Sequence, residues 1–351
     1  MKTIYTAAHL AHAPAKEFLD GELVDVFEKP TRAELILSAV RRTNLGEILP
    51  PKDFGLEPIR AIHTDDYLDF LQNAYALWLA DDRSTNAVYP DTFWKPQFLH
   101  RPTKIGALAG IYTMDLSAPI TDGTWHAAYH SAQVALTAAE LVRDGEQAAF
   151  ALCRPPGHHA DVSLAGGYCY LNNAAIAAQF LRSSPSPVRT GAGRGGGRVA
   201  ILDIDIHHGN GTQHIFYARS DVLFVSLHGD PDWQYPYFLG GKDEVGESEG
   251  AGYNVNYPLP KGTTDEMFLN ALDDACNQIA SYKPANLIIS LGADTFEADP
   301  IGGFALTAAA YAKIGARIAQ LNLPTVFIME GGYAIAQLGE NVANVLKGFE
   351  R

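Results

Sequence analysis

Four short stretches of this chain place carboxylates, imidazoles or a phenol directly after apolar runs of strand length. In "ILDIDIHHGNGTQ" (201–213), Val199, Ala200, Ile201 and Leu202 read as strand interior, and Asp203, Asp205, His207 and His208 then interrupt the run. Charge in a core is costly unless it is paired or bound to a metal. Side chains alternate faces along a strand, so Asp203, Asp205 and His207 are expected on one side and Ile204, Ile206 and His208 on the other. One such residue alone would read as a helix cap or a hydrogen-bonded core histidine. Together, Asp205 and His207 are close enough to hold one ion, and Thr212 is placed to start the next helix.

In "CRPPGHHAD" (153–161), Pro155 and Pro156 stiffen the backbone, and Gly157 bends it ahead of His158 and His159. Adjacent imidazoles on a rigid loop suit proton transfer; alone they suit a structural or adventitious metal site as well. "SLGADTFEADP" (290–300) brings Asp294 after another apolar run. It can complete an Asp/His/Asp set, and three protein ligands with one open position is the catalytic rather than the structural design. Alone it would be a turn or cap residue. In "FIMEGGY" (327–333), Gly331 and Gly332 let backbone approach a substrate closely. Tyr333 offers a phenol that can donate to a developing oxyanion, or is an ordinary turn aromatic. Tyr168, after the pair Gly166 and Gly167, and Tyr235, in "SLHGDPDWQYPYF", can wall a narrow apolar channel or simply fill core.

The elements that position these groups are short apolar runs alternating with helical segments. The runs are 148–153, 199–203, 222–227, 287–291 and 325–329; the helical segments are 131–142, 172–181, 265–279 and 307–321. That alternation predicts an α/β fold with a mainly parallel sheet covered by helices on both faces, and ligands in such sheets gather at the strands' carboxyl ends. With no repeat and no linker, residues 1–351 are expected to form a single domain. Residues 81–125 lack periodicity and are expected to form an active-site rim or an oligomer contact. Residues 183–197 contain a formal G-x-G-x-x-G at Gly191, Gly193 and Gly196. It follows a helix and precedes a strand, the wrong order for a dinucleotide loop, so it is expected to be a mobile surface connection whose deletion leaves activity intact.

The net charge of −14 argues against a nucleic-acid partner and suits a cationic substrate or plain solubility. No apolar run reaches membrane-span length and the first residues do not read as a signal peptide. Cys153, Cys169 and Cys276 form no C-x-x-C pair, which indicates free thiols in a reducing, cytoplasmic setting.

Taken together and in this order, "RPPGHHA", "DIDIHHGNGTQ", "SLHGDP", "SLGADTFEADP" and "MEGGY" resemble the histone deacetylase superfamily, in its bacterial acetylpolyamine amidohydrolase branch. The resemblance runs from "DGELVDVFEKPTRAE" to "NVANVLKGF". It implies the arginase/deacetylase fold, with about eight strands. It also implies a zinc site at Asp205, His207 and Asp294, with Fe(II) as an alternative metal. The catalytic residues it implies are His158, His159 and Tyr333, with Asp203 orienting His158. It further implies a structural potassium ion at Asp203, Asp205, His207, Ser226 and Leu227, and a substrate tunnel bordered by Gly167, Tyr168 and Tyr235. The function implied is hydrolysis of the acetyl amide of a small cationic N-acetylated amine by a homodimer whose contact includes the 81–125 insertion. Asn210 departs from the Asp that many protein-lysine deacetylases carry. Asp115 is the candidate for the branch's distal cation-binding acids, and Lys104–Ile105 supplies no second one. The competing readings are a peptide acetyl-lysine deacetylase, a binuclear ureohydrolase and a catalytically silent acetyl-ligand sensor. His208 has no role in this scheme.

Overall fold

In a strand that is apolar throughout, successive side chains enter opposite faces, and both faces must be covered. In the computed structural model, which describes residues 1–19, 21–83, 86–183 and 197–350, both faces are covered. The strands are β1 (Lys2–Ile4), β2 (Lys16–Leu19), β3 (Glu22–Asp25), β4 (Ile48–Leu49), β5 (Ala148–Ala151), β6 (Val199–Asp203), β7 (Val222–Gly229), β8 (Asn254–Leu259), β9 (Asn286–Leu291) and β10 (Thr325–Met329). Eight of them form one sheet in the order β4-β1-β5-β10-β9-β6-β7-β8, every neighbouring pair parallel. The other two, β2 and β3, form an antiparallel hairpin.

The α-helices are α1 (Thr31–Thr43), α2 (Glu57–Arg60), α3 (Asp65–Ala80), α4 (Ile105–Tyr112), α5 (Thr124–Arg143), α6 (Asn173–Ser183), α7 (Asn210–Phe216), α8 (Asp265–Tyr282), α9 (Ala308–Ala319) and α10 (Leu338–Glu350). Val199, Ile201, Phe224 and Val326 join the core shared with α3, α4, α5 and α6. Their neighbours Ala200, Leu202, Val225 and Phe327 join the core shared with α1, α8, α9 and α10. Each fully buried Ile or Leu in these layers contributes roughly 1.5–3 kcal/mol. No helix among the described residues is long and apolar enough to cross a membrane.

The strand order explains the site. From β5 the chain crosses to β6, runs outward through β7 and β8, and returns to insert β9 and β10 between β5 and β6. The carboxyl ends of β5, β10, β9 and β6, all bearing polar motifs, thereby become neighbours.

The structure differs from the sequence reading in detail. The 131–142 helix begins earlier, at Thr124, and the 81–125 region contains α4. Strands β1, β4 and β8 and helices α1, α3 and α10 were not singled out from the sequence. β1 and β4 are too short to show a period, and β8 is an edge strand that tolerates Asn254, Asn256 and Pro258. Most of the 183–197 segment, with Gly191, Gly193 and Gly196, lies outside the described residues.

Candidate active site

The hydrogen-bonded ladder of β6 stops at Asp203, so residues 204–208 form an irregular turn rather than the extended strand expected. The alternation nevertheless persists in the packing: Ile204 and Ile206 enter the α8/α9 core. Asp205 and His207 turn the other way and meet Asp294 at the end of β9, with one donor atom from each residue within 4.8 Å of the others. His207 Nδ1 lies 3.0 Å from Asp205 Oδ1 and 3.3 Å from Asp294 Oδ2. The Gly331 N–H donates to Asp205 Oδ2 at 2.8 Å, and the Ile206 N–H to Asp294 Oδ1 at 3.0 Å. Asp294 Oδ2 is buried without a well-formed hydrogen bond. Two adjacent buried carboxylates repel: burial and then the Asp205 charge drive the Asp294 carboxyl upward. Against the opposing effect of burial, His158 and His207 hold Asp205 ionised. Two carboxylates and an imidazole nitrogen converging on one buried point, with one oxygen unspent, fit a divalent cation.

Gly331 is required here for a different reason from the one expected. A Cβ at that position would stand 2.0 Å from Asp294 Oδ2 and 2.6 Å from Asp205 Oδ2, so the glycine makes room for the carboxylates rather than for substrate.

The tandem histidines lie beside this cluster, their rings 4.0 Å apart, and face different partners. His158 Nδ1 is 2.9 Å from Asp203 Oδ2. Burial opposes charge on this ring, but Asp203 and then Asp205 outweigh it and push His158 up to about 10. His159 Nδ1 is 2.7 Å from Asn210 Oδ1. An amide oxygen only accepts, so Nδ1 carries the proton and Nε2 keeps its lone pair. Burial, then the His158 and His207 charges, lower His159 well below the usual imidazole range. One imidazole is thus held charged and its neighbour neutral.

A cavity of about 410 Å³ opens above, lined among others by His159, His207, Tyr168, Tyr235 and Tyr333. The Tyr168 and Tyr333 rings lie 5.6 Å apart, and Tyr235 meets His159 edge-on at 5.0 Å. Gly167 and Asp115 also line the cavity. The Asp115 carboxylate is already engaged: Oδ2 accepts from the Tyr235 hydroxyl at 2.5 Å and the Gly167 N–H at 2.9 Å, and Oδ1 from Ser117 N–H at 2.9 Å. Asp115 therefore braces the aromatic wall. Of the residues implied for the potassium ion, Ser226 stands opposite Asp203 in the β6/β7 register, and the Leu227 side chain belongs to the core.

Residues 26–349 match the histone deacetylase domain. The chain belongs to the histone deacetylase family. It is 52% identical to acetylpolyamine amidohydrolase 1 of Pseudomonas aeruginosa, covering 100% of this chain and 99% of that protein. It is 43% identical to acetylpolyamine amidohydrolase of Mycoplana ramosa over 99% of each. The crystal structure of an acetylpolyamine aminohydrolase from Burkholderia pseudomallei superposes with a TM-score of 0.92 at 43% identity, covering 99% of this chain and 98% of that one. The chain falls in the acetylpolyamine amidohydrolase branch of the family, and it is a deacetylase, a hydrolase of linear amides.

Set against the family motifs, this deacetylase contains supporting residues that the sequence reading passed over. Glu330, fully buried, accepts the Gly157 N–H at 2.7 Å, the His158 N–H at 3.2 Å and the Ser290 hydroxyl at 3.2 Å. Its signal was available: it follows an apolar run, as Asp203 does. Asp299 accepts the backbone N–H groups of Tyr333 and Ala334 at 2.7 and 3.0 Å. Arg32 donates to the Gly332 carbonyl at 2.6 Å and the Glu330 carbonyl at 2.7 Å, and its guanidinium lies 4.6 Å over the Tyr333 ring. Nothing local marks Arg32, which comes from α1 at the other end of the chain. Thr212 does not start a helix. α7 begins at Asn210, and the Thr212 side chain sits instead among His158 O and Asn172.

Proposed function

We propose that the chain is a zinc-dependent deacetylase of small cationic N-acetylated amines, acetylpolyamines among them, releasing acetate and the free amine. The observation that carries this reading is that His207 of the Asp205/His207/Asp294 cluster, the neutral His159 and Tyr333 line one aromatic cavity. Asp205, His207 and Asp294 would hold the ion, and their oxygen and nitrogen donors suit Fe(II) as well as zinc. When bound, the ion supplies polarisation of the acetyl carbonyl and a lowered pKa of water.

The chain's own residues do the rest. His159 takes a proton from the attacking water at Nε2 and returns it to the leaving amine. His158, held by Asp203, stays charged and supports the developing negative charge. The Tyr333 hydroxyl donates to the oxyanion, and burial keeps it protonated for that task. Tyr168 and Tyr235 flank the acyl-amine chain. The net charge of −14 suits a cationic substrate. Asp203 and Ser226, both fully buried, would hold a structural potassium ion beside the site together with Asp205, His207 and Leu227. The apolar residues Trp94, Phe98 and Leu99 of the insertion are exposed, which supports a homodimer contact there. The setting that suits free thiols and this substrate class is the cytoplasm.

The test is steady-state turnover on N-acetylputrescine, N-acetylcadaverine, acetylspermidine and an acetyl-lysine peptide, with and without chelator. We expect turnover on the small amines that chelator abolishes and zinc restores. Equal turnover on the peptide would overturn the substrate class, and turnover insensitive to metal would overturn the mechanism.

A further inference from the structure

His208 faces away from the metal cluster into a second buried polar network. Its Nε2 lies 3.0 Å from Gln213 Oε1. Glu244 orients that amide, because its carboxylate Oε2 accepts from Gln213 Nε2 at 2.5 Å. Gln213 must therefore present oxygen to His208, and His208 carries its proton on Nε2. The same oxygen receives the amide groups of Asn254 and Asn256, at 2.9 and 2.8 Å, from the edge strand β8. The His228 ring lies 4.5 Å from that of His208. Its Nε2 is 2.9 Å from the Gly240 carbonyl, which only accepts, so that nitrogen also carries the proton, and Nδ1 accepts the Ser226 hydroxyl at 2.8 Å. Glu244 closes the ring of contacts by accepting the Gly240 N–H at 3.0 Å.

The anchored segment is the one that returns from the cavity wall. Tyr235 and Tyr237 line the cavity, and the chain then runs to Gly240. Tyr237 is 55% exposed and Phe238 93% exposed, so apolar burial does little to hold this loop. The loop is held at Gly240, whose φ is +108°. A Cβ there would stand 2.7 Å from His228 Nε2 and 3.0 Å from His208 Cγ, so the loop lies directly against the two imidazoles.

We propose that His208 and His228 are positioning residues for the substrate wall: they pin Gly240 and through it hold Tyr235 and Tyr237 in the cavity lining. This rests on the reading of the cavity as the amide channel. The experiment combines hydrogen exchange of the 235–244 segment with kcat and KM on an N-acetylated diamine, for His228→Ala and His228→Gln in the zinc-loaded protein. We expect His228→Ala to speed exchange of that segment at least tenfold, leaving 286–291 unchanged. KM should rise about tenfold with kcat within threefold, and His228→Gln, which keeps an N–H near the Gly240 carbonyl, should recover most of both. In a Tyr235→Ala background the KM effect of His228→Ala should shrink, leaving only the part that acts through Tyr237. Unchanged exchange, a fall in kcat at constant KM, or an undiminished KM effect without Tyr235 would each overturn the proposal. Should His228→Ala fail to fold, Glu244→Ala, at a half-buried loop position, reads the same pinning. If the unmutated chain turns over no acetylated amine, the deacetylase reading falls, and the exchange measurement still decides the pinning.

Discussion

His159 and Asn210 decide the protonation chemistry at the scale of single residues. A base must be neutral to act, and burial beside charged His158 lowers the His159 imidazole below its usual range. Asn210 steers its tautomer without adding charge. Asn210→Asp keeps the geometry and adds a negative charge, which favours the protonated ring. The acid limb of the kcat/KM profile should therefore move to higher pH. A profile that stays put, or moves to lower pH, would mean that His159 is not the base. Tyr333→Phe removes one oxyanion donor and nothing from the backbone contacts to Asp299. Turnover should fall by about 10²–10³, with circular dichroism and metal content unchanged. Both residues were legible in the sequence because their chemistry is carried by residue type. The partition into a charged and a neutral histidine was implied only by the family resemblance, through Asp203 and Asn210, because residue types alone do not say which carboxylate stands beside which ring.

The elements act through the loops that leave them, and Glu330 is the join between two of those loops. Its carboxylate holds the histidine loop after β5, and its carbonyl is gripped by Arg32 next to Tyr333. Glu330→Ala strands two buried N–H groups, each at a cost of about 1–3 kcal/mol. We expect a lower melting temperature and a fall in kcat larger than any rise in KM, because the loop carries catalytic rather than wall residues. Glu330→Gln keeps an oxygen acceptor and should recover most of the activity; failure of Gln to do better than Ala would indicate a role for the charge itself. Strands β5, β6, β7, β9 and β10 were readable because full burial on both faces leaves an uninterrupted apolar run. α1 and its Arg32 were not, since an amphipathic helix announces its apolar stripe and not the distant loop that its one buried guanidinium will reach.

An ion held at the carboxylate cluster would stabilise the whole molecule, because an ion bound only by the folded chain adds its binding free energy to stability. An ion present at about a hundred times its Kd contributes about 2.7 kcal/mol. Chelation should then lower the melting temperature by on the order of 5 °C, and His207→Ala should lose both the bound metal by elemental analysis and that response to chelator. Leu99 is 97% exposed beside Phe98 and Trp94, a costly patch for a monomer. Leu99→Glu should shift the protein from dimer to monomer in sedimentation velocity with its fold retained; a wild-type monomer would remove the proposed contact. From sequence alone, residue types and their order after apolar runs determined the α/β class, the metal-ligand candidates and the acid–base candidates, because strand burial and donor chemistry are local properties. Only the tertiary structure decided that Asp115 braces Tyr235 and that Gly331 makes room for carboxylates. The tertiary structure alone also decided that His208 joins a second network and that Arg32 reaches Tyr333. Each of these is a contact between segments that the strand order, with β9 and β10 inserted between β5 and β6, brings together, and no local pattern encodes that order.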